Sequence, residues 1–305
     1  MKEGVPVPVK KSEEAKYGYD QHLNDNMLPF GVYPKATKKL VIYNRMSKCG
    51  SSTMLYLLGQ LRIRAKFNLI RSTLYGEKNH QLDKEGLGEY VKSFQNLTTN
   101  KVIFERHIYF MDFEKFGYRQ PIYFNIIRDP FERTLSRFYY QFTRLNSRKN
   151  KRIEFYKTHS KNETFEKCIR DNLNSSSLVT KCMLVDYDDY VRWFCGHENE
   201  CANVDYGLAK AKYNIEKYYM LIGLTEEYTH TVHALEMLLP SYFKGMVQFY
   251  IQSKKKQNAT PSSRKKRPSN EIIQFIKNRY KNSYEIYNFV KQKFYLTIRS
   301  LGLNV

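Results

Sequence analysis

The run Asn44-Arg45-Met46-Ser47-Lys48-Cys49-Gly50-Ser51-Ser52-Thr53 sets a lysine, a glycine and three hydroxyls close together. At a strand-to-helix junction such a loop offers backbone N–H groups at the positive end of a helix dipole. The ammonium and hydroxyls of Lys48, Ser51, Ser52 and Thr53 would complete a cradle for phosphate or sulfate. A nucleoside-triphosphate loop has another order, Gly, four residues, then Gly-Lys-Ser/Thr. Here Lys48 precedes Gly50 and no second glycine stands among residues 42–47, which disfavours a nucleotide kinase. Taken alone, the segment also fits an ordinary turn with a small-residue cap. A second anion site is offered by Arg128, with Ser136 seven residues past Asp129 on the same face of the following helix. The competing role for Arg128 is to pair with an acidic neighbour. Two anion sites on neighbouring strand ends suit one nucleotide with phosphates at both ends of its ribose. His107 follows a buried strand and is either a structural ring or a general base, the latter suited by a neutral imidazole with the ordinary pKa of about 6.5. Arg45, Arg144, Arg148, Lys151 and Arg152 are candidates to line a groove for an anionic substrate, or else are solvated cations.

The elements that must position these residues follow from the apolar pattern. Short β-branched or apolar runs at 39–44, 102–104, 122–127 and 220–223 read as strands. Helical patterns follow from Thr53 to about Phe67, from Asp129 to about Leu145, from about Glu226 to Leu239, and from Asn270 to Arg299. Asp129-Pro130-Phe131-Glu132 has the order of a capping box with proline at the first helical position. Strands alternating with helices predict an α/β domain over residues 39–305: a central parallel sheet flanked by helices, with ligands beyond the carboxyl ends of its strands. Residues 1–38 read as a polar stem or arm, and residues 251–269 as a basic surface loop.

The 305 residues carry 51 Lys+Arg against 30 Asp+Glu, a net charge of +21, so nucleic acid, an anionic membrane or an acidic polysaccharide is the expected partner. With 42% hydrophobic residues, 26 Tyr and 19 Phe the chain is too apolar for a disordered polycation. Cys168, Cys182, Cys195 and Cys201 cluster apart from Cys49, which suggests two disulfides and a lone thiol. A zinc site including His197 is the alternative, though no Cys-x2-Cys pair supports it. Asn96, Asn162, Asn174 and Asn258 each begin a glycosylation sequon. Sequons and paired cysteines favour a secretory lumen, where a polysaccharide is a better partner than nucleic acid. The run Arg264 to Arg267 also has the look of a nuclear-localisation or processing sequence, the first disfavoured by that lumenal context. No stretch reaches the ~20 apolar residues that span a bilayer, and no signal core is evident, so the chain is expected to begin downstream of a membrane anchor.

Several segments resemble the uronyl and heparan sulfate 2-O-sulfotransferases. They are Tyr43-Asn44-Arg45, Lys48 to Thr53, Arg106 to Phe113, Lys115-Phe116-Gly117, Pro121-Ile122-Tyr123, Asn125 to Pro130, Phe194-Cys195-Gly196-His197 and Leu239 to Gly245. The resemblance extends with gaps over about residues 39–300 and is slightly nearer the uronyl branch. It implies a P-loop-like sulfotransferase fold and a Golgi glycoprotein that is membrane-anchored in the type II sense. The implied donor is 3′-phosphoadenosine 5′-phosphosulfate (PAPS), no metal takes part, and the acceptor is a hexuronate 2-hydroxyl in dermatan, chondroitin or heparan sulfate. Lys48, Cys49, Gly50, Ser51, Ser52 and Thr53 would bind the 5′-phosphosulfate. Arg128 and Ser136 would bind the 3′-phosphate, with Tyr250, Lys256 and Arg264 closing over the nucleotide. His107 matches the family's base and Lys48 would stabilise the leaving phosphate. Cys168–Cys182 and Cys195–Cys201 match the family's disulfides, and a homotrimer is implied. Where the heparan sulfate enzymes carry a further histidine two positions before the base, this chain has Glu105, expected either to orient His107 or to pair with Arg106. A catalytically silent glycosaminoglycan-binding protein of the same fold is the other reading.

Overall fold

The computed structural model describes residues 37–73, 80–97, 100–144, 163–175, 178–182, 189–256 and 265–304. In chain order its elements are β1 (Thr37–Tyr43), α1 (Ser51–Arg64), β2 (Asn68–Arg71), α2 (Lys84–Ser93), β3 (Val102–Glu105), β4 (Pro121–Ile127) and α3 (Pro130–Arg144). There follow α4 (Phe165–Asn172), α5 (Leu178–Lys181), α6 (Asp189–Cys195), α7 (Val204–Tyr218), β5 (Tyr219–Leu224) and α8 (Tyr228–Leu238). The chain closes with α9 (Pro240–Phe243), α10 (Met246–Lys256), α11 (Asn270–Arg279) and α12 (Lys281–Ser300).

The five strands form one parallel sheet in the order β2-β3-β1-β4-β5. Every residue of β3, β4 and β5 is buried, as expected where helices cover both faces of a parallel sheet. The chain leaves β1 toward β2 on one side and leaves β4 toward β5 on the other. The crevice between these diverging connections opens at the carboxyl ends of β1 and β4, where a parallel sheet binds its ligands. This topology brings the loop after β1 beside the loop after β4, with the end of β3 flanking them.

All four expected strands are present, within three residues at each end. Strand β2 is an addition: its four residues, Asn68-Leu69-Ile70-Arg71, lie at the sheet edge with polar, exposed ends, so no apolar run marks it. Helix α1 starts two residues early, at Ser51, because Gly50 turns the chain in a left-handed conformation (φ 73°). Three further boundaries are corrected. Strand β1 begins at Thr37, inside the expected arm, whose other 36 residues lie outside the described residues. The expected basic loop is helical up to Lys256, because Met246 and Tyr250 are buried and carry α10 forward. The single C-terminal helix is two, α11 and α12, broken at the buried Tyr280, whose φ of −101° and ψ of 23° turn the chain out of helix.

Two apolar clusters hold the molecule. The larger surrounds the sheet; the smaller joins Phe131, Leu135 and Phe138 of α3 to Phe165 and Ile169 of α4 and to Ile272, Ile273 and Ile276 of α11. The smaller cluster matters to the site because it fixes α3, and α3 begins at the crevice.

Candidate active site

The loop after β1 is bent by two departures from ordinary backbone. Lys48 adopts φ 66° and Gly50 φ 73°. The Gly50 carbonyl accepts from Thr53 N (3.1 Å) and Met54 N (3.3 Å), while the amides of Ser51 and Ser52 head α1 with no acceptor among the described residues. No side chain caps this helix, so its two leading donors and its dipole are left for an external anion. Ser51 is buried, Thr53 half-buried and Ser52 exposed. The half-buried Lys48 holds its Nζ 3.6 Å from the centroid of the Tyr140 ring. Burial first, then the charges of Lys265 and Arg128, lower its pKa to about 8. Three cations converging on two unclaimed amides fit a phosphosulfate, which would reverse the electrostatic part of that depression. The side chain of Cys49 turns inward instead: burial pushes the thiol up to about 11, so only its backbone is placed to meet a ligand.

Beneath the loop lies Arg133, which is buried. Its Nε donates to the Ser47 carbonyl (2.9 Å) and its Nη1 pairs with Asp189 of α6 (2.5 Å). It therefore ties the loop after β1 to helix α3. At the start of α3, Asp129 Oδ1 accepts from Glu132 N (3.0 Å) as the sequence predicts. The reciprocal half of the capping box is corrected: Asp129 N donates to Glu226 (2.8 Å), and Glu132 turns to Arg128 (3.7 Å) and Arg267 (2.8 Å). Ser136 is buried one turn and a half into α3. Arg128 is thus held loosely by an acidic neighbour and still faces Lys48 and Lys265.

Across from the loop, the end of β3 presents His107. Its Nδ1 bonds to the Arg45 carbonyl at 2.8 Å. A carbonyl only accepts, so Nδ1 carries the proton and Nε2 bears the lone pair. That lone pair meets Arg45 Nη1 at 2.5 Å. Burial, the Arg45 guanidinium and His80 together lower the His107 pKa to about 3, a correction to the near-ordinary value expected from sequence. Glu105 neither reaches His107 directly nor pairs with Arg106. Fully buried, it binds Arg45 Nε through Oε2 and Arg71 Nε through Oε1 (3.1 Å), while Arg106 packs over the Tyr90 ring at 4.8 Å. Trp193 of α6 stands edge-on to His107 (centroids 6.5 Å apart) and donates from Nε1 to the Asn44 carbonyl (2.8 Å). The imidazole is therefore framed from the loops after β1 and β3 and from α6 at once.

The structure brings together Arg45, Lys48, Arg128 and His107 at neighbouring strand ends. Tyr250 stacks on Tyr228 (5.4 Å), whose hydroxyl donates to the Gly50 carbonyl (3.0 Å). Arg148, Lys151, Arg152, Arg264, Asn162 and Asn258 lie outside the described residues, as do the side chains of Arg144, Lys256 and Asn96. Asn174 is exposed in the turn after α4. Both expected disulfides are formed, Cys168–Cys182 and Cys195–Cys201. They consume the cysteines of the zinc alternative, and His197 instead accepts from Leu82 N (3.0 Å). Sequence reading missed Arg71, Arg133, Asp189, Trp193 and Lys265. Lys265 sits in a basic run that was visible; the others carry no local pattern.

A family model described as the sulfotransferase family matches residues 35–290. The mouse (Mus musculus) uronyl 2-sulfotransferase is 33% identical over 271 residues, 86% of this chain and 64% of that protein. The human (Homo sapiens) uronyl 2-sulfotransferase is 32% identical over the same length. The heparan sulfate 2-O-sulfotransferase 1 of Xenopus laevis is 31% identical over 261 residues, 84% of this chain and 70% of that protein. The chain thus spans somewhat less than two thirds of the uronyl 2-sulfotransferases it matches. An anion cradle after β1, a second cation after β4 and an imidazole at the end of β3 lie within the matched residues, and the chain belongs to the sulfotransferase family.

Proposed function

We propose that this protein is a glycosaminoglycan 2-O-sulfotransferase, moving the sulfuryl group of PAPS to the 2-hydroxyl of a hexuronate in dermatan, chondroitin or heparan sulfate. The observation that supports it best is the juxtaposition of Lys48 and the open amides of α1 with a neutral, tautomer-fixed His107. In-line transfer forms a bond from the sugar oxygen to sulfur and breaks the bond from sulfur to the phosphate oxygen. The bonding pair leaves on that oxygen, where Lys48 and the Ser51 and Ser52 amides meet the growing charge without rearrangement. The hydroxyl proton passes to His107 Nε2, which requires Arg45 to step off that atom. Glu105 supplies the alternative partner that keeps Arg45 close. Arg45 and Arg71, both held on Glu105, are the natural readers of the uronate carboxylate. Arg128 and Ser136 take the 3′-phosphate in this reading, and Tyr250 acts on the nucleotide loop through Tyr228. The two disulfides and the exposed sequon at Asn174 support a lumenal, Golgi setting, with membrane anchoring and a homo-oligomer of the kind the family resemblance implies.

The test incubates the protein with labelled PAPS and desulfated chondroitin, dermatan and heparan chains, followed by disaccharide analysis. Label at the uronate 2-position is expected. Its absence from all three chains would leave a silent binding protein. His107→Ala should keep its affinity for 3′,5′-ADP and lose about 10²- to 10⁴-fold in kcat, the usual contribution of a general base. Turnover near wild type would assign the base elsewhere.

A further inference from the structure

At the end of the sheet opposite the candidate active site, a cavity of about 1020 Å3 opens among the amino ends of β1, β2 and β3. Five of its ten lining residues are cationic, Lys39, Arg64, Lys66, Lys101 and Lys244, and none is acidic. Lys and Arg make up 51 of the 305 residues, so the density here is about three times that of the chain. Arg64 complements the dipole at the end of α1. Lys101 donates to the Ser241 carbonyl (3.1 Å) and so supports the wall. No such account covers Lys66 and Lys244, both exposed. The Arg64 guanidinium lies against Gly245, beside Lys244, so two cations are held together; a methyl on Gly245 would come within 2.6 Å of Arg64 Nη1. No carboxylate pairs with Arg64, Lys66, Lys101 or Lys244 among the described residues. Holding like charges around one concavity costs stability unless an anion fills it.

Strand β2 joins this cavity to the site already described. Asn68, its first residue, lines the cavity, and Arg71, its last, is held on Glu105 beside Arg45. The two are three residues apart, about 10 Å at the usual rise of ~3.3 Å per residue. β2 is also an outer strand of the sheet. We propose that the cavity is a second binding site for an anionic polysaccharide, holding the sulfated chain at a distance from the uronate that is being modified. This rests on the glycosaminoglycan reading above for the identity of the chain, but not for the existence of the site. A polymer with a carboxylate or sulfate on every disaccharide spans both sites by following the β2 edge, whereas a short acceptor fills only the active one. Binding at two linked sites raises apparent affinity without a new contact at the reacting centre.

The variant Arg64→Gln, Lys66→Gln, Lys244→Gln keeps polar side chains and removes three charges, none of them placed in the catalytic machinery. Heparin of high molecular weight should bind it about tenfold more weakly, exposed ion pairs being worth about a factor of two each. The slope of log Kd against log salt should fall by about two. With long acceptor chains KM should rise to a similar extent while kcat holds; with a tetrasaccharide acceptor both should match wild type. Unchanged 3′,5′-ADP affinity checks the fold, and the pair Lys66→Gln, Lys244→Gln replaces the triple variant if that check fails. Heparin affinity within twofold of wild type, or an equal rise in KM for long and short acceptors, would overturn the proposal. Failure of the wild-type chain to sulfonate any acceptor would overturn the enzymatic reading while leaving the heparin measurement as the judge of the site.

Discussion

Gly50 concentrates the demands placed on the loop after β1. Its φ of 73° is left-handed, and a methyl on its Cα would lie 2.6 Å from Cε2 of Tyr228. Tyr228 has little room to yield, being hydrogen-bonded to the Gly50 carbonyl and stacked on Tyr250. Gly50→Ala should therefore cost about 1–2 kcal/mol from the backbone and a further ~1–3 kcal/mol from overpacking, read as a lower urea midpoint. It should also weaken 3′,5′-ADP binding, because the amides of Ser51 and Ser52 follow the same bend. Pairing with Tyr228→Ala should recover the packing part alone. A Gly50→Ala chain with wild-type midpoint and affinity would mean that the loop tolerates another shape. The glycine and lysine of this loop were legible in the sequence because small, cationic and hydroxyl residues are adjacent there. The coupling of Glu105 to Arg45 and Arg71 was not: it joins residues 60 and 34 positions apart, brought together only by β1, β2 and β3 lying side by side.

At the scale of elements, α3 is the support on which both candidate anion sites depend. Its capping residue Asp129 was legible, since Asp-Pro-x-Glu is a local pattern with a local cause. Its buried Arg133 was not, because an arginine on an amphipathic helix ordinarily faces water, and its partners Ser47 and Asp189 are distant in sequence. The same limit applies to the missed helix α4, which is held by the Cys168–Cys182 disulfide and by the contact of Phe165 with Phe138 of α3, both partners outside its own run. Arg133→Met should destabilise the protein by about 3–5 kcal/mol, because Asp189 is left buried without its partner. The double variant Arg133→Met, Asp189→Leu should return most of that stability, since an apolar pair replaces the ion pair. Nucleotide affinity should stay low in both, as neither has a donor for the Ser47 carbonyl. Recovery of affinity along with stability would show that Arg133 serves packing alone and does not shape the loop.

For the molecule as a whole, three half- or fully buried histidines in separate elements set how stability depends on pH. Burial holds His107 down to about 3, and the Arg45 guanidinium and His80 add to the effect. Burial likewise lowers His197 to about 4, and burial with His230 lowers His233 of α8 to about 4. In the unfolded chain each ring titrates near 6.5. Between about pH 6.5 and 4 the unfolded state thus binds protons that the folded state refuses, so stability must fall as pH falls through that window. Glu226 acts the other way, since burial raises its carboxyl and lets the folded state hold a proton more readily, but among the described residues it is one group against three. The urea midpoint should drop steadily from pH 6.5 to 4, and His233→Gln, outside the residues assigned to the candidate active site, should flatten the slope without altering turnover at pH 6.5. The same depression predicts that kcat/KM, which reports the free enzyme, shows no loss from His107 protonation between pH 5 and 7. An inflection near 6.5 in that profile, matched by a ring-proton titration that is lost in His107→Asn, would mean that Arg45 does not sit on Nε2 in solution. Because burial is the larger cause of the depression, that result would also mean that the ring is open to solvent and not held neutral in the way the structure shows.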